Sequence, residues 1–159
     1  MIPHFLILLD NSGSMYGEKI LCLNQVVTNL LDNMKSIRPE PAVALVPFDN
    51  GLSSAEFIPA SQAEPVNYIA EGNTSLPDVS QLIKNTNITV NPSELITILV
   101  SDGNYVPSRI LPPGPAYAIA VGYDARKSQL DYFTKNADNV LPAHASYDLP
   151  TYAIQRSCL

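Results

Sequence analysis

His4-Phe5-Leu6-Ile7-Leu8-Leu9-Asp10-Asn11-Ser12-Gly13-Ser14 opens on an unbroken apolar run and closes on a carboxylate, two hydroxyls and a glycine. A strand with one wet face alternates apolar and polar residues, whereas a strand buried on both faces shows no alternation. The opening run is of the second kind. Three more such runs, rich in Ala, Val, Ile and Leu, cover 42–48, 95–101 and 116–121. Four strands of this character imply a mostly parallel sheet covered by helices on both sides.

The intervening segments carry helical spacing. Ile20, Leu23, Val27, Leu30, Leu31 and Met34 recur at steps of three and four, which predicts an amphipathic helix over 17–36. Val79, Leu82 and Ile83 predict a shorter helix, with Ser75 as its N-cap and Pro77 and Asp78 in its first turn. Leu130 and Phe133 mark a third, capped near Asp124, and Ser146 is placed to cap a last one carrying Leu149, Tyr152 and Ile154. Glu56-Phe57-Ile58 reads as a short edge strand. Strand and helix alternate along the chain, so the fold class is α/β, a doubly wound and mostly parallel central sheet flanked by helices. In such sheets ligands bind outside the carboxyl ends of the strands, where the strand order reverses.

Composition narrows the function. At 159 residues the chain is the size of one domain, and a single domain over 1–159 is expected. Apolar residues make up 46% and charged residues 15%, which excludes a disordered chain. The net charge is −6 and the nine basic residues are scattered, so neither nucleic acid nor an anionic membrane is an expected partner. The five-residue run Phe5-Leu6-Ile7-Leu8-Leu9 is too short to cross a bilayer, and a cytoplasmic location is expected. Cys22 falls among apolar helical positions and reads as a small buried hydrophobe. No Cys/His cluster suggests zinc, and the isolated His4 and His144 belong to no Ser/His/Asp arrangement.

The residues just after the strands carry the chemistry. Asp10, Ser12 and Ser14 follow the first strand in steps of two, and alternate residues of an extended segment point the same way. They offer hard oxygen without sulfur or imidazole, which suits Mg²⁺, Mn²⁺ or Ca²⁺. Ser101-Asp102-Gly103 brings a second carboxylate to the same sheet edge, and a hydroxyl of Gly72-Asn73-Thr74-Ser75 could reach it. Each residue also has a plainer reading. Asp10 and Asp102 can cap turns, Ser14 can cap the first helix, and Asp49 with Asn50-Gly51 reads as a surface turn.

Asp10-Asn11-Ser12-Gly13-Ser14 resembles the DxSxS motif of von Willebrand factor type A domains. Thr74, followed by Leu76 and Pro77, resembles the lone threonine of that family, and Asp102-Gly103 after Ile98-Leu99-Val100-Ser101 resembles its TDG aspartate. Residues 44–49 and 118–122 look like its second strand and a later one, so the resemblance covers nearly the whole chain. It implies that Asp10, Ser12, Ser14, Thr74 and Asp102 form a metal-ion-dependent adhesion site, with at least one carboxylate acting through water. The compact bacterial TerY-type members, linked to tellurite resistance, are the most similar kind.

The expected function is a non-enzymatic, metal-dependent protein-interaction module. Two carboxylates and three neutral hydroxyls leave one divalent cation, Mg²⁺ before Mn²⁺ or Ca²⁺, with an open position and residual positive character. That position attracts an Asp or Glu of another protein, and the resemblance points to a kinase- or phosphatase-like partner. Tyr16 and Tyr105 flank the two metal loops, either as rim contacts for a partner or as packing at the solvent edge. The rival is a haloacid-dehalogenase-like phosphotransferase, which also places an Asp after its first strand. That chemistry needs a second carboxylate two residues on, where this chain has Ser12.

Overall fold

The computed structural model describes residues 2–48, 55–65, 67–71, 75–87, 89–108 and 110–157. Strand β1 (His4–Leu9) leads through helix α1 (Glu18–Lys35) to β2 (Ala42–Pro47) and the short β3 (Ile58–Pro59). Helix α2 (Val79–Lys84) precedes β4 (Ile96–Ser101), and β5 (Ala116–Ala120), α3 (Lys127–Thr134), β6 (Val140–Pro142) and α4 (Leu149–Ser157) complete the order. The sheet runs β3-β2-β1-β4-β5-β6. All of its pairings are parallel except that of β2 with β3.

Both faces of the sheet are covered, which is why the strand sequences do not alternate. Phe5, Ile7 and Leu9 of β1 join Ile96, Ile98 and Val100 of β4 in one core beneath α1 and α4. Leu6 and Leu8 join Leu99, Ala118 and Val46 in a second core beneath α2 and α3. Helix α1 buries Ile20, Leu23, Val26, Val27, Leu30, Leu31 and Met34, the three-and-four stripe expected of it. Each such side chain contributes about 1.5–3 kcal/mol on full burial. Cys22 is only half-buried, at the margin of the same core.

The helix starts differ from the sequence expectations, each for a local reason. Asp78, not Ser75, caps α2, accepting from the Ser80 and Gln81 amides at 3.0 and 3.4 Å. Ser75 instead bridges Val106. Asp124 does not cap α3, whose N-cap position holds Arg126 without a side-chain bond; its carboxylate is paired with Lys19. Ser146 lies within the 3₁₀ segment Ala143–Asp148 and accepts from Asn29 Nδ2 at 3.3 Å. The first turn of α4 is met from another helix: Asn33 Oδ1 of α1 accepts from the Thr151 amide at 2.9 Å and from its hydroxyl at 3.0 Å. The edge strand expected at 56–58 is β3, shifted to Ile58–Pro59, and β6 was not anticipated.

The strand order reverses between β1 and β4. The chain leaves β1 for β2 on one side, then returns to place β4 on the other. The carboxyl ends of β1 and β4 therefore lie side by side, with Leu9 opposite Val100. Among the described residues, no helix is long and apolar enough to cross a membrane.

Candidate metal centre

Asp10 is the first residue past β1, on the side of the sheet faced by Leu6 and Leu8. Its amide donates to Val100 O at 3.0 Å, which extends the β1–β4 register one step. That step sets Asp10 beside Ser101, whose hydroxyl donates to Asp10 Oδ2 at 2.5 Å. The other oxygen, Oδ1, accepts from the Ser12 amide at 3.0 Å and the Ser12 hydroxyl at 2.5 Å. Ser12 Oγ lies 3.2 Å from Ser14 Oγ, so the three side chains form one continuous oxygen cluster. Asp10 and Ser12 are fully buried. The 3₁₀ turn Gly13–Met15 follows, with Met15 buried beneath it, and redirects the chain into α1.

Burial pushes the Asp10 carboxyl above its usual range. The Ser101 and Ser12 hydrogen bonds pull it back, and the nearby Asp102 charge pushes it up again. The net shift is upward. A desolvated carboxylate with a second carboxylate close by favours positive charge beside it.

Asp102 follows β4 by one residue and lies in alternation with Val100, so it faces the α1 side. Its Oδ1 accepts from the Asn104 amide at 2.9 Å. Its Oδ2 pairs with Lys19 Nζ of α1 at 3.0 Å. Lys19 Nζ also lies 3.0 Å from Asp124 Oδ1, in the loop after β5. Burial lowers the Lys19 pKa, but its bonds to Asp124 and Asp102 outweigh this and hold it above the ordinary value. Gly103 allows the turn after Asp102. Its φ is +78°, and a Cβ there would sit 2.5 Å from Arg126 O, backbone that cannot yield.

Of the five expected ligands, Asp10, Ser12 and Ser14 form one hydrogen-bonded cluster at the switch point, and Asp102 lies near enough for its charge to act on Asp10 while its own oxygens bond the Asn104 amide and Lys19. Thr74 lies outside the described residues, as does Asp49. Tyr16 is 83% exposed beside the Ser12–Ser14 turn, as a rim residue would be. Tyr105 is only 7% exposed, so it is core packing and not a rim contact. Its ring meets Phe48 edge-on, and its hydroxyl donates to Gln129 O at 3.3 Å. Sequence reasoning missed Ser101, Lys19 and Asp124. A signal existed for Lys19: a lysine in the first turn of a helix opposes the macrodipole, and such a residue calls for specific anionic partners.

The donors present fit a hard divalent cation. Two ligands at right angles on Mg²⁺, each at about 2.0–2.1 Å, stand about 3 Å apart. The oxygens of Asp10, Ser12 and Ser14 are spaced by 2.5 and 3.2 Å. Among the described residues, no three His, Cys, Asp or Glu side chains gather into a site. The donors bonded to one another at the switch point are carboxylate and hydroxyl oxygens, the hard type that suits Mg²⁺, Mn²⁺ or Ca²⁺.

No protein-family model and no curated protein matches the sequence. Solved structures do match. Proximal thread matrix protein 1 of the mussel byssus superposes with a TM-score of 0.60 at 16% identity, over 99% of this chain and 48% of that one. A structure of the same mussel protein with a zinc-occupied MIDAS motif gives 0.53 at 15% identity, with the same coverage of both chains. An aerotolerance-related membrane protein from Bacteroides fragilis gives 0.59 at 12% identity, covering 96% and 97%. The pilus adhesin SpaC from Lactobacillus rhamnosus GG gives 0.60 at 12%, covering 98% and 30%. This chain thus spans about half of the mussel protein and under a third of the adhesin, but nearly all of the Bacteroides chain. From its strand order and from these neighbours together, the chain has the fold of a von Willebrand factor type A domain.

Proposed function

We propose that the chain is a non-enzymatic interaction module that holds one divalent cation and recognises a carboxylate of another protein. The single observation that carries the reading is the Asp10–Ser12–Ser14 oxygen cluster set beside Asp102 at the switch point of the sheet. Those four residues would hold the ion, with Thr74 as a fifth ligand by resemblance. Mg²⁺ is the first choice and Mn²⁺ or Ca²⁺ the next. The zinc-occupied motif in the mussel protein of like fold supports a divalent cation in this kind of site.

The mechanism is charge complementarity. The ion would be under-neutralised by its own ligands and would form a local positive point on a chain of net charge −6. A partner's Asp or Glu completes the coordination, while the rest of the surface repels acidic non-partners. The exposed Tyr16 offers rim contact area. A cytoplasmic setting, a TerY-type role in a tellurite-resistance-like stress system and a kinase- or phosphatase-like partner belong to the same proposal. Cell fractionation and pull-down from the native host test them.

Isothermal titration with Mn²⁺ tests the core of the reading. One site is expected in the native chain and none in Asp10→Ala, with circular dichroism confirming that the variant is folded. Equal binding by both would remove the site. Steady hydrolysis of a phosphomonoester, lost in Asp10→Asn, would favour the phosphotransferase instead.

A further inference from the structure

The metal reading leaves Lys19 without a task, yet among the described residues Lys19 is the cation paired with Asp102. Both oxygens of Asp102 are engaged: Oδ1 by the Asn104 amide at 2.9 Å, Oδ2 by Lys19 Nζ at 3.0 Å. Each oxygen keeps a free lone pair, so a metal ion need not displace the amide, but the ion and the ammonium are both cations drawing on the one Asp102 charge and repel each other there. The amide is fixed in the turn held by Gly103, whereas the ammonium ends a flexible four-carbon stem. The ammonium also has a second anchor, Asp124 Oδ1 at 3.0 Å, on a half-exposed side chain. Gly122 keeps the path clear, because a Cβ there would lie 2.9 Å from Lys19 Cε and 3.0 Å from Asp124 Oδ1. Lys19 can therefore leave Asp102 without any backbone movement.

We propose that Lys19 is a built-in counter-cation that competes with the metal for Asp102, and that Asp124 tunes the competition by offering the ammonium another place. Lys19 is thus a positioning residue that sets the affinity of the site and is not itself a ligand. The proposal rests on the metal reading above. It makes metal occupancy conditional, since a partner carboxylate that stabilises the bound ion also helps it to displace the ammonium.

The experiment is Mn²⁺ titration by calorimetry, with the metal alone, on the native chain, Lys19→Met, Lys19→Arg, Asp124→Asn and the double variant, each checked by circular dichroism. Lys19→Met should tighten Mn²⁺ about tenfold, the lower range for one charge-assisted contact. Lys19→Arg should stay near the native value. Asp124→Asn should weaken binding several-fold in the native background and change it little when Lys19 is Met, because its effect runs through the ammonium. Unchanged or weaker binding by a folded Lys19→Met overturns the proposal and leaves the metal site standing. If Lys19→Met does not fold, an Asp124→Asn variant that binds as the native chain does overturns it equally. An equal loss from Asp124→Asn in both backgrounds overturns the role of Asp124. Absence of binding by every chain overturns the metal reading and this proposal together, whereas binding by Lys19→Met alone supports both.

Discussion

The Ser101 hydroxyl donates to Asp10 Oδ2 at 2.5 Å and also accepts from the Gly103 amide at 2.9 Å, so one side chain ties the end of β1 to the turn after β4. Ser101→Ala leaves a buried carboxylate oxygen and a buried amide unpaired at once. The expected loss is about 2–4 kcal/mol, from a charged acceptor and a neutral donor. Guanidinium unfolding measures it, and Ser101→Thr, which keeps the hydroxyl, should recover most of it.

The inter-helix cap offers a cleaner contrast. Asn33→Ala removes the acceptor for the Thr151 amide and hydroxyl and should cost about 1 kcal/mol, the usual worth of an N-cap. Mn²⁺ affinity should not change, because Asn33 lies in the last turn of α1, remote from the strand ends that carry the site. A shift in metal affinity in that variant would show that the two ends of α1 are coupled.

Metal should also be visible in stability. At a Mn²⁺ concentration one hundred times its dissociation constant, binding to the folded chain alone adds about 2.7 kcal/mol. The thermal midpoint should rise with Mn²⁺, return on addition of EDTA, and fail to rise in Asp10→Ala or Ser12→Ala.

His4 gives a pH dependence of known sign. Burial holds its imidazole below the ordinary pKa, and a hydrogen bond with the Ile2 backbone offsets this only in part. The unfolded chain therefore takes up the proton first. The contribution of His4 to stability is complete above an unfolded pKa of about 6.5 and declines as the pH falls below it. Guanidinium midpoints at pH 7.5 and 5.5 should differ less in His4→Gln than in the native chain.

Gly103→Ala combines a positive φ with a Cβ 2.5 Å from Arg126 O. Backbone strain alone is worth about 1–3 kcal/mol, and the collision adds to it. Unfolding should show a loss of more than about 2 kcal/mol, with Mn²⁺ binding reduced because Asp102 precedes the turn.

How far the sequence reached follows from the range over which each feature is determined. Strands β1, β2, β4 and β5 are buried on both faces, so their apolar runs announce them. Val140-Leu141-Pro142 has no room for a period, and β6 went unseen. The cluster of Asp10, Ser12 and Ser14 is local, a spacing of two along one segment, and was legible. Ser101 and Lys19 enter the site only through the β1–β4 register and the placement of α1 over the sheet, which no local pattern encodes. The helix caps failed for the same reason. Asp124 has the right side chain for a cap but is held by Lys19, and the residue serving α4 is 118 positions away from Thr151. Asparagine side chains also pin the irregular stretches: Asn24 holds both backbone groups of Tyr68, and Asn87 both of Phe57. Asn87 lies 30 residues from Phe57 and Asn24 lies 44 from Tyr68, so composition could not reveal either pairing.

Among the described residues the two outermost strands are short, and each ends in proline: Ile58–Pro59 on one side, Val140–Pro142 on the other. Proline has no amide hydrogen to donate, and two or three residues give an incoming strand little to grip. Lateral recruitment of foreign β-structure, the route to cross-chain polymerisation, is thereby blunted on both flanks. The lateral edges formed by these two strands are thus closed to indiscriminate association, whereas the strand tips stay open.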